Sequence, residues 1–375
     1  MDTQYTALNY EDMKCMWLSQ FDLSSIYCEN GKQRDAESFR ALMATVLDNV
    51  KANGMNTVIL QLRPNADSMY PSEIYPPSAY VVGAYGNNFS YDAVEIVLEL
   101  AKERELSIHA WINPLRAMTD TQIRRVPRSY TIRKWLDDED LCGKYMVQVG
   151  DNWYLNPAYA EVRELILDGA REIMQKYDFD GLHMDDYFYP TTEASFDAAA
   201  YKEYKQNGGK KSVESFRKEN LNLLVSGLWQ MTKSVNPEMI FGISPAGNNQ
   251  LNYNELYADV GTWVKGGYVD YIIPQLYFGY DFSIERLQYD NLVYEWSKYK
   301  NDVTIYAGLG AYKIGNATGS EKDEWSSGCI MEKMINYSRG YKYSGFVIFS
   351  YTSLFSDDEL NTEERNRIFN LIGDN

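Results

Sequence analysis

The chain has 375 residues, with 53 acidic against 36 basic side chains and a net charge of −17. That balance repels phosphate backbones and anionic membrane surfaces, so nucleic acid is not an expected partner and a heavily anionic polymer is disfavoured. No apolar run is long enough to span a bilayer, so no transmembrane segment is expected.

Short apolar runs alternate with longer amphipathic ones from Met13 onward, the pattern of a parallel sheet with crossover helices. The first strand is predicted over Met13–Ser19 and the first helix over Ser38–Asn53, stopped by Gly54. The second pair follows at Thr57–Arg63 and Tyr91–Glu105, and the third at Ser107–Asn113 and Ala160–Tyr177. The fourth is Gly181–Asp185 with Val213–Val235, and the fifth is Met239–Ser244 with Glu255–Lys265. Tyr271–Gln275 with Ile284–Lys300 makes the sixth, and Val303–Leu309 with Asp323–Gly340 the seventh. Gly345–Ser350 and Asn361–Ile372 complete the eighth.

Eight β–α units in strict alternation predict an α/β fold, a closed (β/α)8 TIM barrel. No G-x-G-x-x-G follows the first strand, so a doubly wound nucleotide-binding sheet lacks its phosphate cradle. The loops after strands 2, 3 and 4 are long (64–90, 114–159 and 187–212), and barrel enzymes build their sites on such loops. Residues 13–375 therefore read as one catalytic barrel. The polar stretch 1–12 reads as a disordered tail, the remainder after removal of a leader. Cys15, Cys28, Cys142 and Cys329 show neither a C-x-x-C pair nor metal-ligand spacing. No metal and no cofactor are expected. Cys15 should be a buried thiol, while Cys28 and Cys142 lie in loops and could pair.

Side chains alternate between barrel interior and helix layer along each strand, so parity sorts the candidate site residues. His183 and Asp185 should point inward from strand 4, with Asp186 joining them if the chain leaves extended geometry there. Strand 1 contributes Trp17 and Ser19, strand 2 Gln61 and Arg63, and strand 3 His109, Trp111 and Asn113. Gln275 and Tyr277 follow strand 6, and Arg116 stands in the loop just beyond strand 3. A ring of such polar and aromatic groups is costly to bury as filling, because each polar atom needs a partner. It suits a polyhydroxylated ligand. The 32 Tyr, 8 Trp and 14 Phe supply flat faces with polar handles for stacking on sugar rings, or else a tyrosine-rich core.

Glycosidic cleavage needs one carboxyl to protonate the leaving oxygen and a second group as nucleophile or base. Asp185 is the first candidate, with Arg63 and His183 expected beside it. Asp186 and Asp281 are the candidate partners, with Glu193 and Glu255 further options, and Asp180 is expected to brace the turn before strand 4. A barrel that binds carbohydrate without cleaving it is the alternative. A metal-dependent hydrolase using Asp185, Asp186, His109 and His183 is disfavoured, because no H-x-H or H-x-x-x-H spacing is present.

The runs MWLSQF, NTVILQLRPNADSMYPS, IHAWINPLR, WYLNPAYAEVR, FDGLHMDDYFYP, ISPAGNN and PQLYFGY occur in this order between Met13 and Tyr280. Together they resemble the glycosyl-hydrolase-like 10 family of bacterial envelope glycoside hydrolases. The resemblance implies hydrolysis of cell-wall glycan, notably peptidoglycan strands stripped of their stem peptides, by a secreted or lipid-anchored extracytoplasmic protein. A monomer with a glycan as its partner is expected. Carried over by position, Asp185 and Asp186 would be central, with Arg63, Asn113, Tyr187, Tyr189, Gln275 and Tyr277 along the groove. Against the chitinase pattern F-D-G-x-D-x-D-x-E, His183 replaces an aspartate and Tyr187 stands at the acid glutamate, so a chitinase-type glutamate donor is not expected. Phe278 stands where family members usually carry tryptophan.

Overall fold

The protein is described from a computed structural model covering residues 5–185 and 187–373. Asp186 thus lies outside the described residues, as do residues 1–4 and 374–375. Eight strands form the centre: β1 (Met13–Leu18), β2 (Thr57–Arg63), β3 (Ser107–Ile112), β4 (Gly181–Met184), β5 (Ile240–Ile243), β6 (Tyr271–Ile272), β7 in two pieces (Thr304–Ile305 and Ala307–Gly310) and β8 (Gly345–Phe349). Their pairings are all parallel. The sheet runs from the first piece of β7 through β6, β5, β4, β3, β2, β1 and β8 to the second piece of β7. Both ends of the sheet are segments of one strand, and the nearly closed parallel barrel predicted from the alternation is present.

The surrounding helices are α1 (Ala36–Ala52), α2 (Ala93–Glu103), α3 (Ala160–Lys176), α4 (Val213–Val235), α5 (Val260–Lys265), α6 (Tyr289–Trp296), α7 (Ile330–Gly340) and α8 (Glu359–Gly373). Local chemistry sets their ends. Asp35 and Asp92 accept from backbone N–H groups at the starts of α1 and α2, relieving donors that the first turn leaves open. Beyond α1, Gly54 sits at φ +77, where a residue without Cβ is favoured. The fifth helix begins five residues later than expected. Tyr257 has φ +54, and Asp259 caps Thr262, so helical geometry cannot extend back to Glu255. Among the described residues no helix is long and apolar enough to cross a membrane.

Strand parity divides the core in two. Leu60, Ala110, Leu182 and Phe241 face outward and pack with the helices, while Cys15, Trp17, Ile59, Trp111, Tyr271 and Val347 fill the barrel. Two glycines make room for interior rings. A Cβ on Gly242 would lie 2.0 Å from the Tyr271 ring, and one on Gly181 would lie 3.1 Å from the His109 ring.

The loops supply the rest. Gln20–Tyr27 forms a helix directly after β1, started by a capping box between Ser19 and Asp22. The loop after β3 builds a small antiparallel sheet from Arg116–Thr119, Asn152–Leu155 and Met146–Val149. Residues 5–12, expected as a tail, instead cross the amino-terminal face of the barrel. Asp180, the expected brace, accepts there from the Tyr5 hydroxyl and the Leu8 N–H at 2.6 Å each, and from the Ile108 N–H at 2.7 Å. All four cysteines are free thiols, and Cys15 is buried.

Candidate active site

At the carboxyl ends of the strands lies a cavity of about 410 Å³, within the usual range for small-ligand sites. Trp17, Gln61 and Trp111 line it from β1, β2 and β3, Asp185, Ser244 and Gln275 from just beyond β4, β5 and β6, and Phe349 ends β8. Arg116, Tyr187, Tyr277 and Tyr312 come from the loops, and Ser19, Gln20 and Phe21 from the turn after β1. The floor combines polar groups with Trp17 and Trp111, and the rim is aromatic. Phe21 is 67% exposed and Tyr187 46%, so both rings reach solvent at the rim.

Asp185 sits at the base, 3% exposed. Its Oδ2 accepts from Asn113 Nδ2 at 2.6 Å, and its Oδ1 from the Tyr187 backbone N–H at 3.2 Å. Asn113 is fixed in turn, because its Oδ1 accepts from Gln61 Nε2 at 2.8 Å and Gln61 Oε1 accepts from the Gln20 N–H at 2.7 Å. This run of amides leaves the carboxylate little freedom to rotate, the arrangement a reacting group needs. Gln275 is held by donating to the Ser244 carbonyl at 3.1 Å. The Arg116 guanidinium lies 5.1 Å from the centre of the Tyr187 ring, within cation–π range.

Of the residues singled out from sequence, Trp17, Gln61, Trp111, Arg116, Asp185, Tyr187, Gln275 and Tyr277 meet at this cavity, and Asn113 stands directly behind Asp185. Four do not. Arg63 was expected on the same face as Gln61, but the β2–β3 register shifts between them, and a one-residue slip reverses the face. Its guanidinium lies 3.8 Å from the centre of the Tyr75 ring, against Gly169 of α3. Tyr189 is buried against Phe196 and Tyr257, with the Arg217 guanidinium 5.5 Å from its ring.

His183 does point inward, yet it lies beneath the cavity floor, bonded to Ser244 and Tyr271. Burial lowers its pKa well below the ordinary value, so it is neutral and adds no charge beside Asp185. Asp281 is exposed on the loop after β6, and its backbone N–H donates to Glu324 Oε1 at 3.1 Å; it does not line the cavity. Asp185 is accordingly the one carboxylate among the described cavity-lining residues. His109 and His183 have all four ring nitrogens in hydrogen bonds inside the barrel. Among the described residues no three metal-binding side chains converge.

Sequence reasoning missed Gln20, Phe21, Ser244, Tyr312 and Phe349 as site residues. Parity could have found Ser244, which ends its predicted strand on the same face as Gly242. The turn after β1 carried no length signal, because eight of its residues coil into a helix.

The glycosyl hydrolase YngK of Bacillus subtilis (strain 168) is 33% identical over 341 residues, which cover 85% of this chain. The chain spans only 65% of that relative's length. The glycosyl hydrolase DigH of Escherichia coli (strain K12) is 29% identical over 394 aligned positions, covering 95% of this chain and 85% of DigH. Among solved structures, the glycoside hydrolase domain of PgaB (BpsB) from Bordetella bronchiseptica aligns with a TM-score of 0.63 at 12% identity, over 95% of this chain and 98% of that one. The catalytic domain of β-amylase from Paenibacillus polymyxa gives 0.60 at 11% identity, over 96% and 99%. At such identity these likenesses speak to the fold alone, a TIM barrel. Residues 12–327 match the family described as glycosyl hydrolase-like 10, and the chain belongs to that family.

Proposed function

We propose that the protein is a glycoside hydrolase cleaving a bacterial cell-wall glycan, either peptidoglycan strands lacking stem peptides or a related N-acetylhexosamine polymer, with Asp185 as its key carboxylate. The observation that carries this is Asp185 itself, held by two N–H donors at the base of an open cavity rimmed with aromatic faces. In that position it serves as nucleophile or base at the anomeric carbon, while a second acid protonates the leaving oxygen. Asp186, its chain neighbour, is the proposed donor. Arg116 supplies a local cation in an otherwise acidic protein. It suits a sugar bearing a free carboxylate, such as the lactyl group exposed once stem peptides are gone. The proposed location, outside the cytoplasm at the cell envelope, follows from that substrate.

The second reading, a barrel that binds glycan without cleaving it, is favoured by Asp185 being the one described carboxylate in the cavity. Digestion of peptide-free peptidoglycan, N-acetylglucosamine oligomers and α-glucans, with product masses read out, separates the two. Hydrolysis of at least one of the N-acetylhexosamine substrates is expected. Tight binding without products from folded protein would establish the binding module instead.

A further inference from the structure

A line of hydrogen bonds runs through the barrel from its amino-terminal face to the cavity floor. Ser244 Oγ lies 3.0 Å from His183 Nε2, and His183 Nδ1 lies 3.1 Å from the Tyr271 oxygen. That oxygen is 2.9 Å from His109 Nδ1, and His109 Nε2 is 3.3 Å from Oδ1 of Asn9. Ser244, His183, Tyr271 and His109 are all buried, whereas Asn9 is exposed.

The direction of every proton in this line follows from its far end. The Asn9 amino group faces the carbonyl oxygens of Asp180 and Glu238, each at 3.4 Å, so its amide oxygen is turned to His109. His109 therefore carries its proton on Nε2. Burial lowers the pKa of both histidines, that of His109 to about 3, so each ring holds one proton only. His109 Nδ1 is then a lone pair and accepts the Tyr271 O–H. The Tyr271 oxygen accepts the Nδ1–H of His183, which leaves His183 Nε2 as a lone pair. Ser244 must donate its only hydroxyl proton there. What it offers the cavity is an acceptor and nothing else.

We propose that Ser244 is a specificity-determining binding residue that accepts a hydrogen bond from a sugar hydroxyl, its acceptor-only character fixed by His183, Tyr271 and His109 behind it. The identity of the ligand rests on the carbohydrate reading above; the polarity of the line rests on geometry. Ser244 beside His183 resembles the start of a nucleophilic triad. Here, however, the third member is a phenol, and among the described residues no carboxylate is bonded to His183 to stabilise an imidazolium. Attack by Ser244 is therefore not the role assigned.

The chain has two histidines, so a spectrum of protein labelled with 15N-histidine shows two rings, told apart by Ser244→Ala, which perturbs His183 first. We expect a pyridine-type Nε2 on His183 and a pyridine-type Nδ1 on His109. A protonated Nε2 on His183 would overturn the polarity, whatever the protein binds. Calorimetry on Asp185→Asn protein then uses chitotetraose and its monodeoxy and monofluoro analogues, fluorine being unable to donate. At one position both replacements should weaken binding about 5–10-fold, the weight of one hydrogen bond, and Ser244→Ala should erase that difference. Tyr271→Phe, which lets His183 change tautomer, should reduce the fluoro penalty while binding persists. Equal affinities at every position, or discrimination that survives Ser244→Ala, would overturn the sugar contact. No binding of chitotetraose itself would count against the carbohydrate reading and the sugar end of this proposal together, leaving the two-histidine spectrum to decide the polarity alone.

Discussion

At the scale of single residues, the orientation of Asp185 depends on amides that never touch the ligand. Asn113 spans Gln61 and Asp185, so Asn113→Ala removes a hydrogen bond to a carboxylate and leaves a Gln61 amino group without its partner. Bonds to charged groups contribute about 1.5–3 kcal/mol, which corresponds to a loss of about 10–100-fold in turnover. Steady-state kinetics should show the fall mainly in kcat, alongside a stability cost of about 1–3 kcal/mol for the stranded Gln61 amide. The two arginines make a paired contrast. Arg116 lines the cavity whereas Arg63 lies among the helices. Arg116→Ala should weaken binding of carboxylate-bearing glycan about tenfold, the effect of one charged contact. Arg63→Met should leave that affinity unchanged, and equal losses in both variants would contradict the placement. Parity alone read Asp185, Gln61, Trp111 and Trp17 correctly from sequence. It failed at Arg63 because the register shift after Gln61 leaves no trace in the order of residue types.

Among the elements, the loop after β4 carries Tyr187 to the rim and is fastened at its far end. Arg217 of α4 bonds both oxygens of Asp197, at 2.9 and 2.7 Å, and the carbonyls of Thr192 and Glu193. Both side chains are buried. Removing one member of a buried pair strands the other, at about 3–5 kcal/mol. Arg217→Met should lower the denaturation midpoint accordingly and reduce turnover as the Tyr187 loop loosens. Unchanged stability would mean that the pair is not formed in solution. Tyr189 was expected in the groove, beside Tyr187, from the resemblance to the family. The chain is no longer a strand there, and packing beside Arg217 takes the ring inward. Such a capture depends on a helix residue 28 positions downstream, so no local pattern in the sequence announces it.

For the molecule as a whole, the barrel was legible because each strand is a short apolar run bounded by turn residues, and each helix carries an apolar stripe. Several predicted elements coincide with the observed ones, β2 and α4 at both ends. The filling of the barrel was less legible. His109 and His183 were read as part of a polar ring around the ligand, whereas both lie below it in a layer with Tyr271. Gly181 and Gly242 are the sequence trace of that layer, since each leaves the space an interior ring occupies. Gly242→Ala would place a methyl 2.0 Å from the Tyr271 ring. Overpacking of this kind costs about 1–3 kcal/mol. The measured unfolding free energy should fall by that amount, and a neutral effect would show the ring to be free to move.

The account stands or falls on Asp185 as the reacting carboxylate of a cavity that holds sugar. The most direct measurement is the rate of product release from peptide-free peptidoglycan by Asp185→Asn protein, taken together with its affinity for the same glycan. The expected result is a fall of at least about 10²–10⁴-fold, the usual weight of an acid–base group, with affinity retained. Release at the original rate by the variant would contradict it.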